Sequence, residues 1–291
     1  MLEKNVHLSR SIFDKALEIK ASKYYRLSIQ FSLDGFSFCI YDNSRDKYSA
    51  LSSWDFREIS TNYSLLQLLK EFIPKQEWLN QYYEKTTIIF ESPVSTLVPE
   101  PLFDKTNLND YLRFNHQVEA SEIIKNDYLP LLDAENIWAI PQNLNDLLTN
   151  TFPGASVYNH ASSLIESLLQ QNKNRDTGES IFVNIRKNRF DIVVLKENNL
   201  VLFNSFKYRT KEDFIYFLIY VMEQLKLNPE KTDVTLMGEI LKISSVYEIT
   251  YKYVRNINFI SRSNNYQFSY VFDDIPEHFY FNLINLQHCG L

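Results

Sequence analysis

Apolar and polar positions alternate along two neighbouring stretches near the start of the chain, which predicts two paired β-strands. The first stretch covers residues 27–33, with apolar side chains at its odd positions, and the second covers residues 36–40. Asp34-Gly35 lies between them and is typical of a tight hairpin turn. A second turn at residues 42–44 precedes another strand-like stretch over 48–56. The pattern therefore predicts a three-stranded antiparallel meander.

A change of period after the meander predicts a helix. Apolar residues between Leu65 and Ile73 form one broad stripe at helical spacing, and Pro74 closes the segment. Residues 86–90 are then predominantly apolar and β-branched, which indicates a buried strand. The predicted order is therefore meander, helix and strand.

The same order of elements returns in the second half of the chain. Its predicted segments are the strands 180–185, 190–196 and 200–206, the helix 214–225 and the strand 233–237. The sequence therefore predicts an internal duplication of a β-meander–α–β unit. We expect residues 24–91 and 179–238 to share one topology.

The rest of the chain predicts further strands and helices around these two copies. Residues 93–101 contain several prolines and predict an irregular stretch. Two strand–helix pairs follow, at 136–151 and 155–171. The polar loop 172–178 is the best boundary between two lobes, which we place at 1–173 and 174–291. A strand over 257–260 precedes the end of the chain.

The last segment predicts a closing helix over residues 276–289. Phe279, Leu283, Leu286 and Cys289 recur at spacings of three and four, so they should pack inward. Terminal helices fray unless they dock on a core. We therefore expect deletion of residues 276–291 to destabilise the fold by several kcal/mol.

Several short segments resemble a known family. They are Ser32-Leu33-Asp34-Gly35-Phe36-Ser37, residues 95–103, Phe114-Asn115-His116 and Phe281-Asn282-Leu283. With the duplication, they resemble an uncharacterised family from Bacteroidota, classed as a domain of unknown function with an actin-like ATPase, or duplicated ribonuclease-H-like, fold. The resemblance covers essentially the whole chain and implies the two-lobed fold of actin, sugar kinases and heat-shock ATPases. It implies no activity, although pilus- and secretion-associated proteins of this fold act as scaffolds.

Composition and charge exclude several classes of protein. The chain has 291 residues, of which 45% are hydrophobic and 23% charged, as in ordinary globular proteins. A net charge of −6 argues against a protein that binds nucleic acid mainly by neutralising phosphates. No stretch is long and apolar enough for a signal peptide or a membrane span, so we expect a cytoplasmic protein. Cys39 and Cys289 are too few for a disulfide framework, and we expect both to be buried thiols.

The resemblance directs attention to phosphate-binding hairpins. Actin-like ATPases hold phosphates with two turns of the Asp-x-Gly kind, because glycine lets backbone N–H groups approach the anion. Asp34 and Gly35 are the nearest match, but they are adjacent and Phe36 stands where a small residue is expected. Gly238 is the nearest match to the glycine pair of the adenosine-binding turn. These three residues are candidate, vestigial nucleotide-binding positions; the alternatives are a plain hairpin turn and a strand end.

The second predicted hairpin has cations at its tip. Arg186, Lys187 and Arg189 stand where the fold expects an acidic, glycine-bearing turn. They are candidates for direct anion binding, including binding of a nucleic acid. The alternative is a solvated hairpin whose charges protect a sheet edge.

Other chemistry has no positive signal in the sequence. The 5 glycines cannot supply three glycine-rich loops, and no Walker-type or dinucleotide motif is present. The 5 histidines are scattered without metal-ligand spacing, so we expect no metal site. No nucleophile elbow occurs, and we expect neither a cofactor nor catalysis.

The sequence therefore predicts an α/β protein with mixed sheets and a duplicated, two-lobed, actin-like architecture. The function we expect is that of an intracellular interaction or scaffold module with a degenerate nucleotide cleft, whose partner is another protein. An ATP-binding protein or phosphotransferase with divergent phosphate loops is the alternative. We expect purified protein neither to bind nor to hydrolyse ATP.

Overall fold

The structure is a computed structural model, and it describes residues 2–173, 178–288 and 290–291. In chain order the strands are β1 (Val6–Phe13), β2 (Tyr25–Phe31), β3 (Gly35–Asp42), β4 (Lys47–Phe56), β5 (Lys85–Phe90), β6 (Ser95–Pro99), β7 (Glu122–Leu129), β8 (Ala134–Pro141), β9 (Ser156–Asn159), β10 (Glu179–Ile185), β11 (Arg189–Lys196), β12 (Asn199–Lys207), β13 (Asp233–Gly238), β14 (Asn256–Phe259) and β15 (Gln267–Phe268).

The α-helices lie between these strands. They are α1 (Leu2–Asn5), α2 (Asn62–Phe72), α3 (Leu108–Asn115), α4 (Gln142–Thr151), α5 (His160–Asn172), α6 (Lys211–Gln224), α7 (Ser245–Tyr253) and α8 (Phe281–Asn285). Short 3₁₀ turns occur in several of the connections.

The chain forms two compact units. The first contains Met1–Ser167, Asn264–Asp274 and Asn282–Leu291, and the second contains Leu168–Ser263 and Ile275–Phe281. The predicted lobe boundary adjoins residues 174–177, which lie outside the described residues, and the division at 173 and 174 stays a prediction.

A mixed sheet is the centre of the first unit. Its strand order is β1-β4-β3-β2-β5-β9, and β15 also pairs with β4. The pairs β2–β3 and β3–β4 are antiparallel, as predicted for a meander, whereas β5 joins β2 in parallel. Leu27, Ile29 and Phe31 are fully or almost fully buried, because alternate residues of a strand face the same side of the sheet.

A smaller antiparallel sheet, ordered β6-β8-β7, completes the first unit. The predicted irregular stretch at 93–101 is wrong in part, because Ser95–Pro99 pairs with β8 as an edge strand. An edge position tolerates prolines, since one side of the strand needs no backbone donors. Strands β1 and β7 and helix α3 were not predicted from the sequence.

The second unit repeats the topology of the first. Its sheet order is β12-β11-β10-β13-β14, which matches β4-β3-β2-β5-β9 strand for strand. The antiparallel and parallel pairings also match, with β13 parallel to β10 as β5 is to β2. The predicted duplication is therefore confirmed.

The helix that follows each meander begins in the same way. Thr61 and Thr210 each accept a hydrogen bond from the backbone N–H three residues later, and Ser64 and Asp213 each return one. These reciprocal bonds are capping boxes, which stabilise helix N-termini. The duplication therefore extends to the local signal that starts the helix.

The predicted closing helix is too long. Only Phe281–Asn285 is α-helical, because Tyr280 has a φ of 55°, a left-handed conformation that a continuous helix does not admit. Leu283 and Leu286 are buried as predicted, and Phe279 is half-buried. Cys289 lies outside the described residues, whereas Cys39 is a buried free thiol as expected.

Candidate functional site

The first hairpin, residues 32–35, joins β2 to β3 in the first unit. The Ser32 N–H donates to the Gly35 carbonyl over 2.9 Å, which closes the turn. The Asp34 N–H donates to Ser32 Oγ over 3.0 Å, and the Phe56 N–H donates to the Asp34 carbonyl over 2.8 Å. Both backbone groups of Asp34 are therefore used within the unit.

Gly35 and Phe36 are placed by packing against β4 and α2. A Cβ on Gly35 would lie 2.6 Å from the Trp54 carbonyl oxygen, so the close approach of β4 requires glycine. The Phe36 side chain is 1% exposed, and its ring packs edge-on against Phe72 at 5.2 Å between centroids. Phe36 therefore points into the core, away from any ligand at the turn.

The second hairpin, residues 186–189, joins β10 to β11 in the second unit. The Arg186 N–H donates to the Arg189 carbonyl over 2.9 Å, and Tyr208 Oη donates to the Arg186 carbonyl over 2.7 Å. The Lys187 side chain is exposed, and Arg189 is half-buried at the start of β11. A tyrosine thus supports the base of this turn.

Arg186 forms an ion pair with a buried carboxylate beneath the turn. Its guanidinium Nη2 lies 3.0 Å from Asp191 Oδ1, and the Asp191 side chain is fully buried. Asp191 also accepts hydrogen bonds from Asn184 Nδ2 over 3.1 Å and from Ser205 Oγ. A buried carboxylate needs such partners, and the guanidinium of Arg186 therefore compensates the negative charge of Asp191.

The residues around Asp191 have counterparts in the first unit. Asn184, Asp191 and Ser205 lie side by side across β10, β11 and β12. The same register places Gln30 beside Ser37 and Ser37 beside Ser53, where Ser37 Oγ donates to Ser53 Oγ over 3.0 Å. Each meander thus has a polar row, with an acidic residue at its middle only in the second.

Gly238 ends β13 beside the second hairpin, in register with Ile185. Its φ is +91°, and a Cβ would lie 2.0 Å from the Ile185 carbonyl oxygen. Its N–H donates to the His278 carbonyl over 2.9 Å. The structure thus brings Gly238 next to the 186–189 turn, while backbone conformation and packing account for the glycine.

A second buried polar cluster lies in the first unit and was missed from the sequence. Asp127 Oδ2 accepts hydrogen bonds from the Asn159 N–H over 2.9 Å and from Ser162 Oγ over 2.6 Å. Asn136 Nδ2 donates to Ser162 Oγ over 2.8 Å. Burial raises the pKa of Asp127 to about 6 despite these donors. The cluster joins β7, β8 and the start of α5.

Glu166 is a further buried carboxyl group, on α5. Its Oε1 accepts a hydrogen bond from the Leu131 N–H over 3.0 Å, and its Oε2 has no hydrogen-bond partner. Burial raises the pKa of Glu166 to about 7. A polar residue at a helix position among apolar neighbours was the only sequence signal for it.

Neither a metal centre nor a membrane-spanning helix is present in the part of the chain that the structure describes. There, no group of three or more His, Cys, Asp or Glu side chains is arranged to hold a metal ion. No helix in that part is long and apolar enough to cross a bilayer.

Known structures of this architecture are similar to the chain. A Bacteroides thetaiotaomicron protein with an actin-like ATPase fold and unknown function is 27% identical, with a TM-score of 0.76 over 84% of this chain and 93% of that one. The type IV pilus biogenesis complex PilM–PilN matches at 10% identity and a TM-score of 0.59, covering 90% of this chain and 97% of that one.

A third structure supports the same fold. The ethanolamine utilization protein EutJ from Carboxydothermus hydrogenoformans is 7% identical, with a TM-score of 0.51 over 96% of this chain and 93% of that one. The fold is therefore the mixed α/β actin-like ATPase fold, as predicted. No curated protein matches the chain. The model of the family described as "Protein of unknown function (DUF3822)" matches residues 14–257, and the chain therefore belongs to this family.

Proposed function

We propose that this protein is a non-catalytic intracellular interaction or scaffold module, whose actin-like fold has phosphate hairpins that no longer bind nucleotide. Its partner is another protein. The observation that carries the proposal is the second hairpin: it has no glycine, and its first cation, Arg186, forms an ion pair with the buried Asp191.

The other candidate positions support the same proposal. A phosphate loop needs backbone N–H groups that point to the ligand. The N–H of Asp34 is bonded to Ser32 Oγ, and that of Gly238 to the His278 carbonyl. The need for glycine at Gly35 and Gly238 follows from close backbone approaches, and a nucleotide is not required to explain either residue.

The fold itself is compatible with a scaffold. One similar structure comes from a complex of PilM with PilN, so a protein of this fold takes part in an assembly with another protein. The low cysteine content, 2 in 291 residues, suits an intracellular protein. Neither point requires catalysis, and a fold by itself does not specify function.

Calorimetric titration with ATP and magnesium tests the proposal. We expect no binding up to millimolar nucleotide, because each lost charge-assisted contact costs roughly 1.5–3 kcal/mol and several are lost. A non-hydrolysable analogue should behave in the same way, and phosphate release should stay at background.

A dissociation constant in the low micromolar range would contradict the proposal. Asp34→Ala would then locate the site, with Asp110→Ala, at an exposed carboxylate on α3, as the matched control. Loss of binding only in Asp34→Ala would identify a metal-organising carboxylate and establish the ATP-binding alternative.

A further inference from the structure

The two units differ at the outer edge of the meander. In the first unit, β1 pairs antiparallel with β4 and covers that edge. In the second unit, the counterpart of β4 is β12, and no strand among the described residues pairs with its outer side. An open edge presents backbone donors and acceptors to any extended chain.

The helix beside each edge shows the same difference. In the first unit, α1, which directly precedes β1, contacts α2. In the second unit, the matching helix α6 exposes Tyr216 and Tyr220, at 63% and 45%. Their rings stack on each other, and Tyr216 contacts Phe217, which stacks on Phe206 of β12 at 4.8 Å. The edge and the exposed rings thus form one surface, the β12–α6 surface.

We propose that the β12–α6 surface binds an extended segment of a partner protein, which adds antiparallel to β12 as β1 adds to β4. The inference rests on the proposed role as an interaction module and names its binding surface. The duplicated unit supplies the template, because residues 2–13 show what covers this edge and this helix in the same fold. Strand addition of this kind is a recurring mode of peptide recognition.

Charge at the edge specifies one residue of the partner. In the first unit, Ser9 Oγ of β1 donates to Asp55 Oδ2 of β4 over 2.6 Å. The register places the exposed Lys207 at the position of Asp55, opposite Arg189. A segment bound to β12 therefore needs a carboxylate where β1 has Ser9, because the exposed ammonium group of Lys207 lies where β4 has Asp55.

Apolar contacts specify the ends of the segment. Val6 and Phe13, at the two ends of β1, pack on the core of the first unit. The partner segment should accordingly have apolar residues at both ends, one of them near Val201, which is 47% exposed. Such a segment is eight residues long and acidic near its middle.

The side chain of Asn204 occupies a backbone donor of β12 that an incoming strand would use. The Ser205 N–H of β12 donates to no strand among the described residues and instead donates to Oδ1 of the neighbouring Asn204 over 2.8 Å. Such local bonds blunt an edge against unwanted pairing. An incoming strand would replace the Asn204 amide, so Asn204→Ala should tighten binding a few-fold.

The probe is the synthetic peptide Leu-Glu-Lys-Asn-Val-His-Leu-Asp-Arg-Ser-Ile-Phe, the sequence of residues 2–13 with Ser9→Asp. Fluorescence anisotropy of the labelled peptide with the full chain should give saturable binding. Hydrogen exchange should slow in residues 199–207 and stay unchanged in residues 47–56, which locates the peptide on β12. Failure to bind at millimolar peptide, or protection of 47–56 alone, would overturn the inference.

Backbone pairing has its own control. N-methylation of the peptide at the residues that correspond to His7, Arg10 and Ile12, or at those that correspond to Leu8, Ser11 and Phe13, blocks one side of the strand each time, because the register of β1 shifts between Leu8 and Arg10. One of these two peptides should lose at least tenfold in affinity and the other should bind nearly as well as the parent. Equal binding of both would overturn strand addition.

The charge prediction is tested in the protein. Lys207→Glu should weaken binding about fivefold, and a peptide with Ser9→Lys should recover affinity for that variant. Lys105→Glu, at an exposed lysine of the first unit, is the matched control and should change nothing. Equal effects of Lys207→Glu and Lys105→Glu would overturn the assigned carboxylate.

Two further outcomes separate this inference from its premise. A dimer in sedimentation that Val201→Asp dissociates would assign the edge to a second copy of the chain and overturn the partner-segment inference. Micromolar ATP binding would overturn the proposed function whatever the peptide does. Absence of both ATP and peptide binding would overturn the edge inference alone.

Discussion

Two buried carboxyl groups of the first unit have pKa values that are shifted in opposite directions. Burial raises the pKa of Asp14, but donors from Lys47, Ser269 and the Ala16 amide outweigh it and lower the pKa to about 2. Lys47 Nζ and Ser269 Oγ each lie 2.7 Å from Asp14 Oδ2. Glu166 has only backbone donors on one oxygen, so burial prevails and raises its pKa to about 7. The charged Lys47 and the added Ser269 donor therefore account for the opposite direction of the pKa shift at Asp14.

Glu166 should make stability fall as pH rises. Its folded pKa of about 7 exceeds its ordinary value of 4.5, so the folded state holds a proton that the unfolded state has lost between these pH values. The contribution of Glu166 to the free energy of unfolding is fully present below about pH 4. It falls by roughly 3 kcal/mol towards pH 8. Glu166→Gln should remove that fall, which urea unfolding at pH 5 and pH 8 would measure.

The control is Glu223→Gln, at an exposed glutamate on α6, which should leave the pH dependence of the free energy of unfolding unchanged. Equal slopes for the wild-type chain and Glu166→Gln would show that the buried Glu166 is ionised throughout and contradict the prediction.

At the scale of elements, glycines mark places where strands approach closely. Gly35 allows β4 to lie against β3, and Gly238 allows β13 to end against β10. The second case combines a positive φ with a close approach to the Ile185 carbonyl oxygen, and the two requirements add. Both positions lie where an ATPase of this fold is expected to contact nucleotide, yet each has a structural reason.

Gly238→Ala should lower the free energy of unfolding by more than about 3 kcal/mol, because φ strain and a backbone clash act together. Gly154→Ala is the matched control: its φ of +78° is similar, but a Cβ there would meet nothing within 4 Å. It should cost only about 1–2 kcal/mol. Thermal and urea unfolding would compare the two, and equal losses would contradict the role of the β10 contact.

At the scale of the whole molecule, the chain returns to its first unit at its end. Residues 282–291 belong to that unit, where Gln287 Nε2 donates to Ser28 Oγ over 2.7 Å across 259 positions of sequence. Tyr48 Oη donates to the Ile284 carbonyl, and Leu283 in the same segment is fully buried. The last residues of the chain therefore hold side chains of β2 and β4 by hydrogen bonds and contribute to the core of the first unit.

Leu283→Ala should destabilise the protein by about 2–5 kcal/mol, the cost of removing a fully buried leucine side chain. Deletion of residues 276–291 should cost more, since it also removes the bonds to Tyr48 and Ser28. Leu241→Ala, at a leucine that is 46% exposed, is the control and should have little effect. Denaturant unfolding followed by circular dichroism would test this, and an unchanged midpoint for Leu283→Ala would contradict it.

Local periodicity determined most of the elements. Alternation over 27–40 and 180–206, helical spacing after each meander and the prolines that follow were enough to predict both copies and their order. These signals are local, because side-chain period depends only on the backbone conformation of neighbouring residues. Strand β1 was missed since its apolar residues lie mainly at its ends, and α8 was overextended since nothing in the sequence marks the left-handed Tyr280.

Only the tertiary structure decided what the candidate positions do. Phe36 and Gly35 had suggested an altered phosphate loop, but their contacts with Phe72 and the Trp54 carbonyl show core packing. The partners of Asp127 come from β9 and α5, and those of Asp191 come from neighbouring strands. The open edge of β12 is recognised only beside the covered edge of β4. Sequence patterns report which residues share a face, whereas contacts between distant segments depend on how the faces pack, which no local pattern encodes.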